Sequence, residues 1–359
     1  MPEISENKKS CPRTDVFLRM ITQMPDQNAA GYEKPIIFVI IEGKITMKRF
    51  EKESLGLFPT PMYRLPNISR ELGTNVWIKR DDLCGVALGG NKVRKLEYLL
   101  HDAKAKGYDL VMTTGQAQSN HAMLTAACAL RLGLDCILVL KKRGVTQRKG
   151  NQILNHLMGV EVRYMDTDSY EDIYAEMDRI GEELGRKIYK IPCGGSNALG
   201  TLGYIDCMKE VADSHVHFDH LVCACGSGGT AAGCVLGAKL HLPDTQVMCS
   251  MVDNDPFEVI VPQLMREAAE LLETSVEIPV PDLLEMWGPG YSIPSEEGNE
   301  AIALMMKLEG IVLDTCYTGK AFAGLVRRAR EGFYKPTDNV LFVHTGGAGG
   351  LFAQDWEAE

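Results

Sequence analysis

From Asp109 onward the chain alternates short apolar, β-branched runs with segments of helical periodicity, and no other property narrows its fold as much. Runs at 110–112, 136–140, 160–164 and 187–191 are separated by helical stretches after Ser119, Gln147 and Tyr170. A second series at 220–225, 246–252, 311–314 and 340–343 repeats the pattern. A helix between two strands returns the second parallel to the first and covers the sheet, so this order predicts an α/β protein with two parallel sheets. The crossing between the two series is expected near Gly194-Gly195-Ser196-Asn197.

With 359 residues, 45% of them hydrophobic, the chain can bury two cores. Its net charge of -10 offers no basic footprint for nucleic acid, and the pairs Lys142-Arg143 and Arg148-Lys149 read as a solvated loop. The apolar run at 36–41 is too short to span a bilayer and lacks a cleavage pattern, which points to a soluble protein. Eleven cysteines without a CxxC pair read as reduced core residues of a cytoplasmic protein. His215, His217 and His220 lack companion ligands at zinc spacing, so they are expected in a solvated loop and no metal is assigned. Residues 1–46 differ in composition and are read as a flexible arm or as a segment upstream of the true start.

The stretch Leu88-Gly89-Gly90-Asn91-Lys92-Val93-Arg94-Lys95-Leu96-Glu97 sets a lysine at a glycine-lined turn opening an amphipathic helix. At about 100° per residue, Val93, Leu96, Leu99, Leu100 and Ala103 share an arc of roughly 120° that includes Lys92. Arg94 falls opposite and Lys95 off the stripe, so of these cations only Lys92 is expected to face inward. An enclosed lysine loses its proton more readily and suits carbonyl capture; the alternative is a helix-start lysine that snorkels to water.

Ligands of open parallel sheets bind beyond the carboxyl ends of the strands. After the run at 220–225 comes Gly226-Ser227-Gly228-Gly229-Thr230, whose glycines and following helix suit a phosphate. It lacks the Walker lysine and the dinucleotide spacing. After 110–112 comes Gln118-Ser119-Asn120-His121, offering a helix cap together with polar groups for an anion. Tyr317 and Thr345 stand after the runs at 311–314 and 340–343.

Together with Tyr317-Thr318-Gly319-Lys320 and His344-Thr345-Gly346-Gly347, these motifs closely resemble the D-cysteine desulfhydrase and 1-aminocyclopropane-1-carboxylate deaminase family. The resemblance runs from about Met47 to near the C-terminus. It implies pyridoxal 5'-phosphate as cofactor, a homodimer, and the tryptophan synthase β fold (fold type II) with two open twisted parallel-sheet domains. The larger would combine 47–94 with 206–359, and the smaller would span 95–205 and close on substrate. It also implies that Lys92 carries the cofactor as an imine, while Asn120 bonds the ring's phenolic oxygen; released beside the substrate α-carbon, Lys92 is then the best candidate base. Gly226, Ser227, Gly228, Gly229 and Thr230 would hold the phosphate, and Thr345 would meet the pyridine nitrogen. Ser119, Asn120 and His121 would face the substrate, with Tyr291 and Tyr317 closing over it.

Two positions refine that expectation. Met123 stands where the family often has arginine, which questions the local charge and substrate preference. Thr318 stands where the deaminases resemble one another in a glutamate. A neutral pair, Thr318 and Thr345, suits β-elimination better than ring opening, so D-cysteine cleavage to pyruvate, sulfide and ammonia is the leading expectation. The alternatives are a 1-aminocyclopropane-1-carboxylate deaminase, an L-cysteate sulfolyase, a non-catalytic pyridoxal-phosphate carrier and a nicotinamide dehydrogenase.

Overall fold

The computed structural model describes residues 47–354, so the expected N-terminal arm at 1–46 lies outside the described residues. The chain opens with β1 (Met62–Arg64), α1 (Pro66–Leu72), β2 (Asn75–Arg80) and α2 (Lys92–Ala105). Next come β3 (Leu110–Gln116), α3 (Asn120–Arg131), β4 (Asp135–Lys141), α4 (Asn151–Leu157), β5 (Glu161–Met165), α5 (Tyr170–Leu184) and β6 (Ile188–Ile191). After α6 (Ala198–Asp213) follow β7 (His220–Cys225), α7 (Gly229–His241), β8 (Gln246–Met251), α8 (Phe257–Leu271) and β9 (Asp282–Glu285). The described chain ends with α9 (Glu296–Glu309), α10 (Thr318–Arg330), β10 (Asn339–His344) and α11 (Ala348–Leu351).

Two sheets result, a six-stranded one in the order β1-β2-β10-β7-β8-β9 and a four-stranded one in the order β5-β4-β3-β6. All strand pairs are parallel except β1 with β2. The central strands are apolar on both faces because both faces are covered. Leu221 and Cys223 of β7 pack with α6, α7 and α8, while Val222 and Ala224 pack with α9 and α10. In the smaller sheet Leu110 and Met112 of β3 meet α5, whereas Val111 turns to the layer of α2 and α3.

Three details of the sequence reading are corrected. The run at 311–314 is not a strand: Ile311 and Leu313 are buried in the core under α9 and α10, and β9 takes the place beside β8. Its apolar residues reflect burial without strand pairing. His220 lies in β7 against Phe333 and Tyr334, with ring centroids 5.4 and 5.0 Å away, so only His215 and His217 occupy the loop before it.

The third correction concerns α2. Val93 through Leu100 are all buried, including Arg94 at 2% exposure and Lys95 at 0%. Lys92 is therefore not the sole inward cation of its helix. An amphipathic helix keeps one wet face only at a surface, but the first turns of α2 are enclosed by α6, α3 and the turn Cys193–Gly195. Among the described residues, no helix is long and apolar enough to cross a membrane.

Candidate active site

A cleft of about 440 Å³ opens beyond the carboxyl ends of β3, β6, β7 and β10, which brings together loops far apart in sequence. Lys92 enters it from the start of α2. The turn before Lys92 requires glycine: at Gly89 (φ 71°) a Cβ would lie 1.8 Å from the Asp82 carbonyl oxygen, and at Gly90 (φ 133°) 2.8 Å from that of Thr345. The same approach lets the Asn91 N–H donate to the Thr345 carbonyl at 3.1 Å, locking the lysine turn to the end of β10.

Burial lowers the Lys92 pKa to about 8, and the nearby thiols of Cys193, Cys225 and Cys316 offset that only in part. Lys92 forms no ion pair or hydrogen bond among the described residues. Three positions on, burial and then the Lys92 charge hold Lys95 well below its ordinary pKa. Its Nζ donates to the Gly194 carbonyl at 3.1 Å and the Ser196 hydroxyl at 3.2 Å. Arg94 differs: it forms two bonds to Asp81, at 2.8 and 2.9 Å, and reaches Glu210 at 2.8 Å.

Gly226, Ser227, Gly228 and Thr230 line the cleft at the start of α7, while Gly229 sits behind them with its N–H donating to Ser196 Oγ at 3.2 Å. A Cβ on Gly229 would lie 2.8 Å from Lys95 Nζ, so this lysine stands beside the helix N-terminus. A lysine nitrogen with only neutral acceptors, at the N-terminus of a helix, fits a phosphate dianion. Asn91 Nδ2 donates to Thr230 Oγ1 at 2.9 Å, tying the lysine loop to this cradle.

On the opposite wall, Ser119 caps α3 by accepting the Ala122 N–H at 3.1 Å, which leaves its hydroxyl proton available to a ligand. Asn120 and His121 line the same wall. His121 shares a 2.8 Å hydrogen bond with Thr113 through Nε2, and its buried Nδ1 has no partner. Burial and then the Lys92 and Lys95 charges depress its pKa well below the usual value, so the imidazole is neutral. Met123 is buried in the core with Leu96, Leu99 and Cys128 and does not line the cleft.

Tyr291 and Tyr317 share a hydrogen bond between their hydroxyls, with ring planes at 70°. Burial holds both phenols well above their ordinary pKa. Asp314 places Tyr317 by accepting the N–H groups of Cys316, Tyr317 and Thr318 at 2.9, 2.9 and 2.7 Å. The Thr318 hydroxyl also bonds Asp314, at 2.6 Å, and Thr318 is fully buried outside the cleft. The loop carrying Tyr291 is held from beneath, where Lys320 donates to the Trp287 and Gly290 carbonyls at 2.6 and 2.8 Å. Thr345 completes the rim.

Sequence reasoning missed several cleft residues: Asn91, Gln116, Lys141, Tyr170, Cys193 and Ser196. Asn91 and Ser196 sit inside quoted motifs and could have been found there. Gln116 accepts from Ser292 Oγ at 3.0 Å, a pairing over 176 residues that sequence spacing gives no means of detecting.

A family model described as pyridoxal-phosphate dependent enzyme matches residues 53–346. A protein of Pyrococcus horikoshii, provisionally named 1-aminocyclopropane-1-carboxylate deaminase, is 44% identical over 321 residues, covering 85% of this chain and 94% of the relative. One of Pyrococcus abyssi with the same provisional name is 40% identical over 315 residues, again covering 85% and 94%. A crystal structure described as a homologue of that deaminase superposes with a TM-score of 0.79 at 44% identity, covering 85% of this chain and 94% of that one.

Proposed function

The chain belongs to the pyridoxal-phosphate dependent enzyme family, within its group of D-cysteine desulfhydrases and 1-aminocyclopropane-1-carboxylate deaminases, and from that premise we propose that it cleaves D-cysteine by β-elimination. The cofactor is pyridoxal 5'-phosphate, which when bound supplies an electron sink for charge developing at the substrate α-carbon. Lys92 would be its attachment point, and Asn120 would donate to its phenolic oxygen. Gly226 to Thr230, with Lys95 beside them, would hold its phosphate, and Thr345 would meet the ring nitrogen.

Ser119 Oγ and the start of α3 bind the substrate carboxylate, since a helix N-terminus favours an anion. The neutral His121 adds no cation there. Lys92, with its pKa lowered to about 8, removes the α-proton of D-cysteine near neutral pH. The Cβ–S bond then breaks and sulfide leaves with the electron pair. Tyr291 and Tyr317, protonated at any working pH, close over the substrate and exclude water. The released aminoacrylate takes up water to give pyruvate and ammonia.

One observation supports β-elimination: Thr345 lines the cleft, while Thr318 turns away to Asp314, so the nitrogen of a bound ring would meet a hydroxyl instead of a carboxylate. A neutral partner gives a weaker electron sink, adequate for expelling a good leaving group after proton loss. The names of the two Pyrococcus relatives favour a second reading, ring opening of 1-aminocyclopropane-1-carboxylate. The test is a substrate panel: pyruvate and sulfide from D-cysteine support the first reading, 2-oxobutanoate from the cyclopropane the second. L-cysteate yielding pyruvate and sulfite would move the assignment to a sulfolyase. Turnover of none of these leaves a cofactor carrier.

The free thiols of the described chain suit a cytoplasmic setting. We also propose a homodimer, to which the exposed Ile153 and Leu157 on one face of α4 would contribute apolar surface. Light scattering giving a monomer mass would remove that proposal.

A further inference from the structure

Outside the residues already assigned, the most constrained side chain near the cleft is Asn151, the first residue of α4, which is fully buried. Its Nδ2 donates at 2.8 Å to the Gln118 carbonyl and at 2.7 Å to Asn120 Oδ1. Its own backbone N–H donates at 2.9 Å to Gln118 Oε1, and the Gln118 amide continues to the Val145 and Lys149 carbonyls at 2.8 and 3.1 Å. Asn151 Oδ1, by contrast, is buried with no partner, facing Gly349, where even a Cβ would come within 2.0 Å.

An amide side chain can in principle be turned end for end, and here the neighbours decide the matter. The Gln118 main-chain oxygen can only accept, so the Asn151 atom facing it is the nitrogen. Each N–H of that NH2 group then has one acceptor, which makes the Asn120 atom beside it the oxygen. Asn120 thus has its oxygen committed to Asn151, and its own NH2 remains free toward the cleft that Asn120 lines. Turning Asn151 over would rescue its orphaned oxygen only by setting it against the Gln118 carbonyl. The unpaired Oδ1 is the cost of fixing the polarity of the next amide.

We propose that Asn151 is a positioning residue that fixes the Asn120 amide so that it presents a donor, and not its oxygen, to the phenolic oxygen of bound pyridoxal phosphate. This rests on the reading that Asn120 meets that oxygen. A donor there favours the form in which the oxygen carries negative charge, so it lowers the pH at which the visible absorbance of the bound cofactor titrates.

The test measures that midpoint in the pyridoxal-phosphate-loaded protein and in its Asn120→Ala, Asn151→Leu and double variants. Asn151→Leu keeps the volume and the backbone N–H bond to Gln118 but frees the Asn120 amide. The expected result is an upward shift of about one pH unit in Asn120→Ala, a smaller one in Asn151→Leu, and none beyond Asn120→Ala in the double variant. A purely structural role would lower thermal stability without moving the midpoint. Should Asn151→Leu fail to fold, Asn151→Asp offers an isosteric acceptor that draws the Asn120 NH2 to itself, and it should raise the midpoint at least as far. If Asn120→Ala shifts the midpoint and neither Asn151 variant does, the inference is overturned and the role of Asn120 stands. If Asn120→Ala shifts nothing, the role of Asn120 itself fails and the inference falls with it.

Discussion

Arg94 and Lys92 stand two residues apart in the first turn of α2, and their surroundings could hardly differ more. Arg94 is neutralised by Asp81 and Glu210, and Asp81 also accepts from Tyr204 at 2.6 Å and Thr60 at 2.8 Å. Burial pulls the Arg94 pKa down, but Asp81, Cys207 and Glu210 outweigh it and hold the guanidinium charged at every pH. Lys92 has thiols and no carboxylate acting on it, although Asp168, Asp253 and Asp255 line the same cleft. Enclosure alone therefore does not make a reactive cation. What separates the two is the counter-charge, which turns one into a structural rivet and leaves the other free to exchange its proton.

The largest effects should come from removing each cation, and they should fall on different properties. Lys92→Ala should abolish the visible absorbance of bound cofactor in the purified protein and cut pyruvate formation by roughly 10³-fold or more, with folding intact. Normal turnover by that variant would refute its assignment. Arg94→Met strands buried Asp81 without its cationic partner, while Glu210 keeps Lys79 at 2.8 Å, so it should cost about 3–5 kcal/mol in urea unfolding. Its effect on turnover of the remaining folded protein should be secondary. An Arg94 variant as stable as the parent would mean that the network is ornamental.

The comparison can also be broken by giving Lys92 what Arg94 has. Cys193 lines the cleft and is the first group offsetting the lowered Lys92 pKa, so Cys193→Asp would set a carboxylate near the ammonium. Each unit of pKa rise cuts the neutral amine about tenfold below pH 8, and cofactor capture at pH 7 should slow by a similar factor. Stopped-flow absorbance reads this directly. An unchanged rate would show that the proton on Lys92 does not limit capture.

The contrast between these two residues also marks how far the sequence could be read. The α/β order and the two series of strands were legible because parallel strands covered on both faces must be continuously apolar. The meeting of Lys92, Ser119, Asn120, Gly226, Ser227, Gly228, Thr230 and Thr345 in one cleft was legible because they sit at strand ends and helix starts, where such folds bind ligands. Tyr291 was reached only through the family resemblance, as its loop has no distinctive pattern. The burial of Arg94 and Lys95 could not be read from α2 alone, since it depends on α6 and the turn Cys193–Gly195, which arrive about a hundred residues later. The misread run at 311–314 has a related cause: Ile311 and Leu313 are apolar because a core covers them, and that requirement does not distinguish a strand from an irregular segment.

The smallest effect tests the proton on Lys92 without using activity. In the folded, cofactor-free protein its pKa is about 8, below the 10.5 of an ordinary lysine. Between those values the unfolded chain binds the proton more tightly than the folded one does. Stability therefore rises with pH across that window, and below about pH 8 the full penalty of holding an enclosed charge is felt. Lys92→Met removes the penalty, so the variant should be more stable than the parent at pH 7, by on the order of 1–2 kcal/mol given that Lys92 is only partly withdrawn from water. The gap should close as the pH is raised from 8 toward 10, and measuring it as a difference between two proteins cancels the other titrating groups. Arg94→Met should show no such closing gap over the same range, because its guanidinium keeps its proton throughout. A Lys92 gap that is constant with pH would mean that the lysine is an ordinary solvated cation, and the contrast with Arg94 would then be one of position alone.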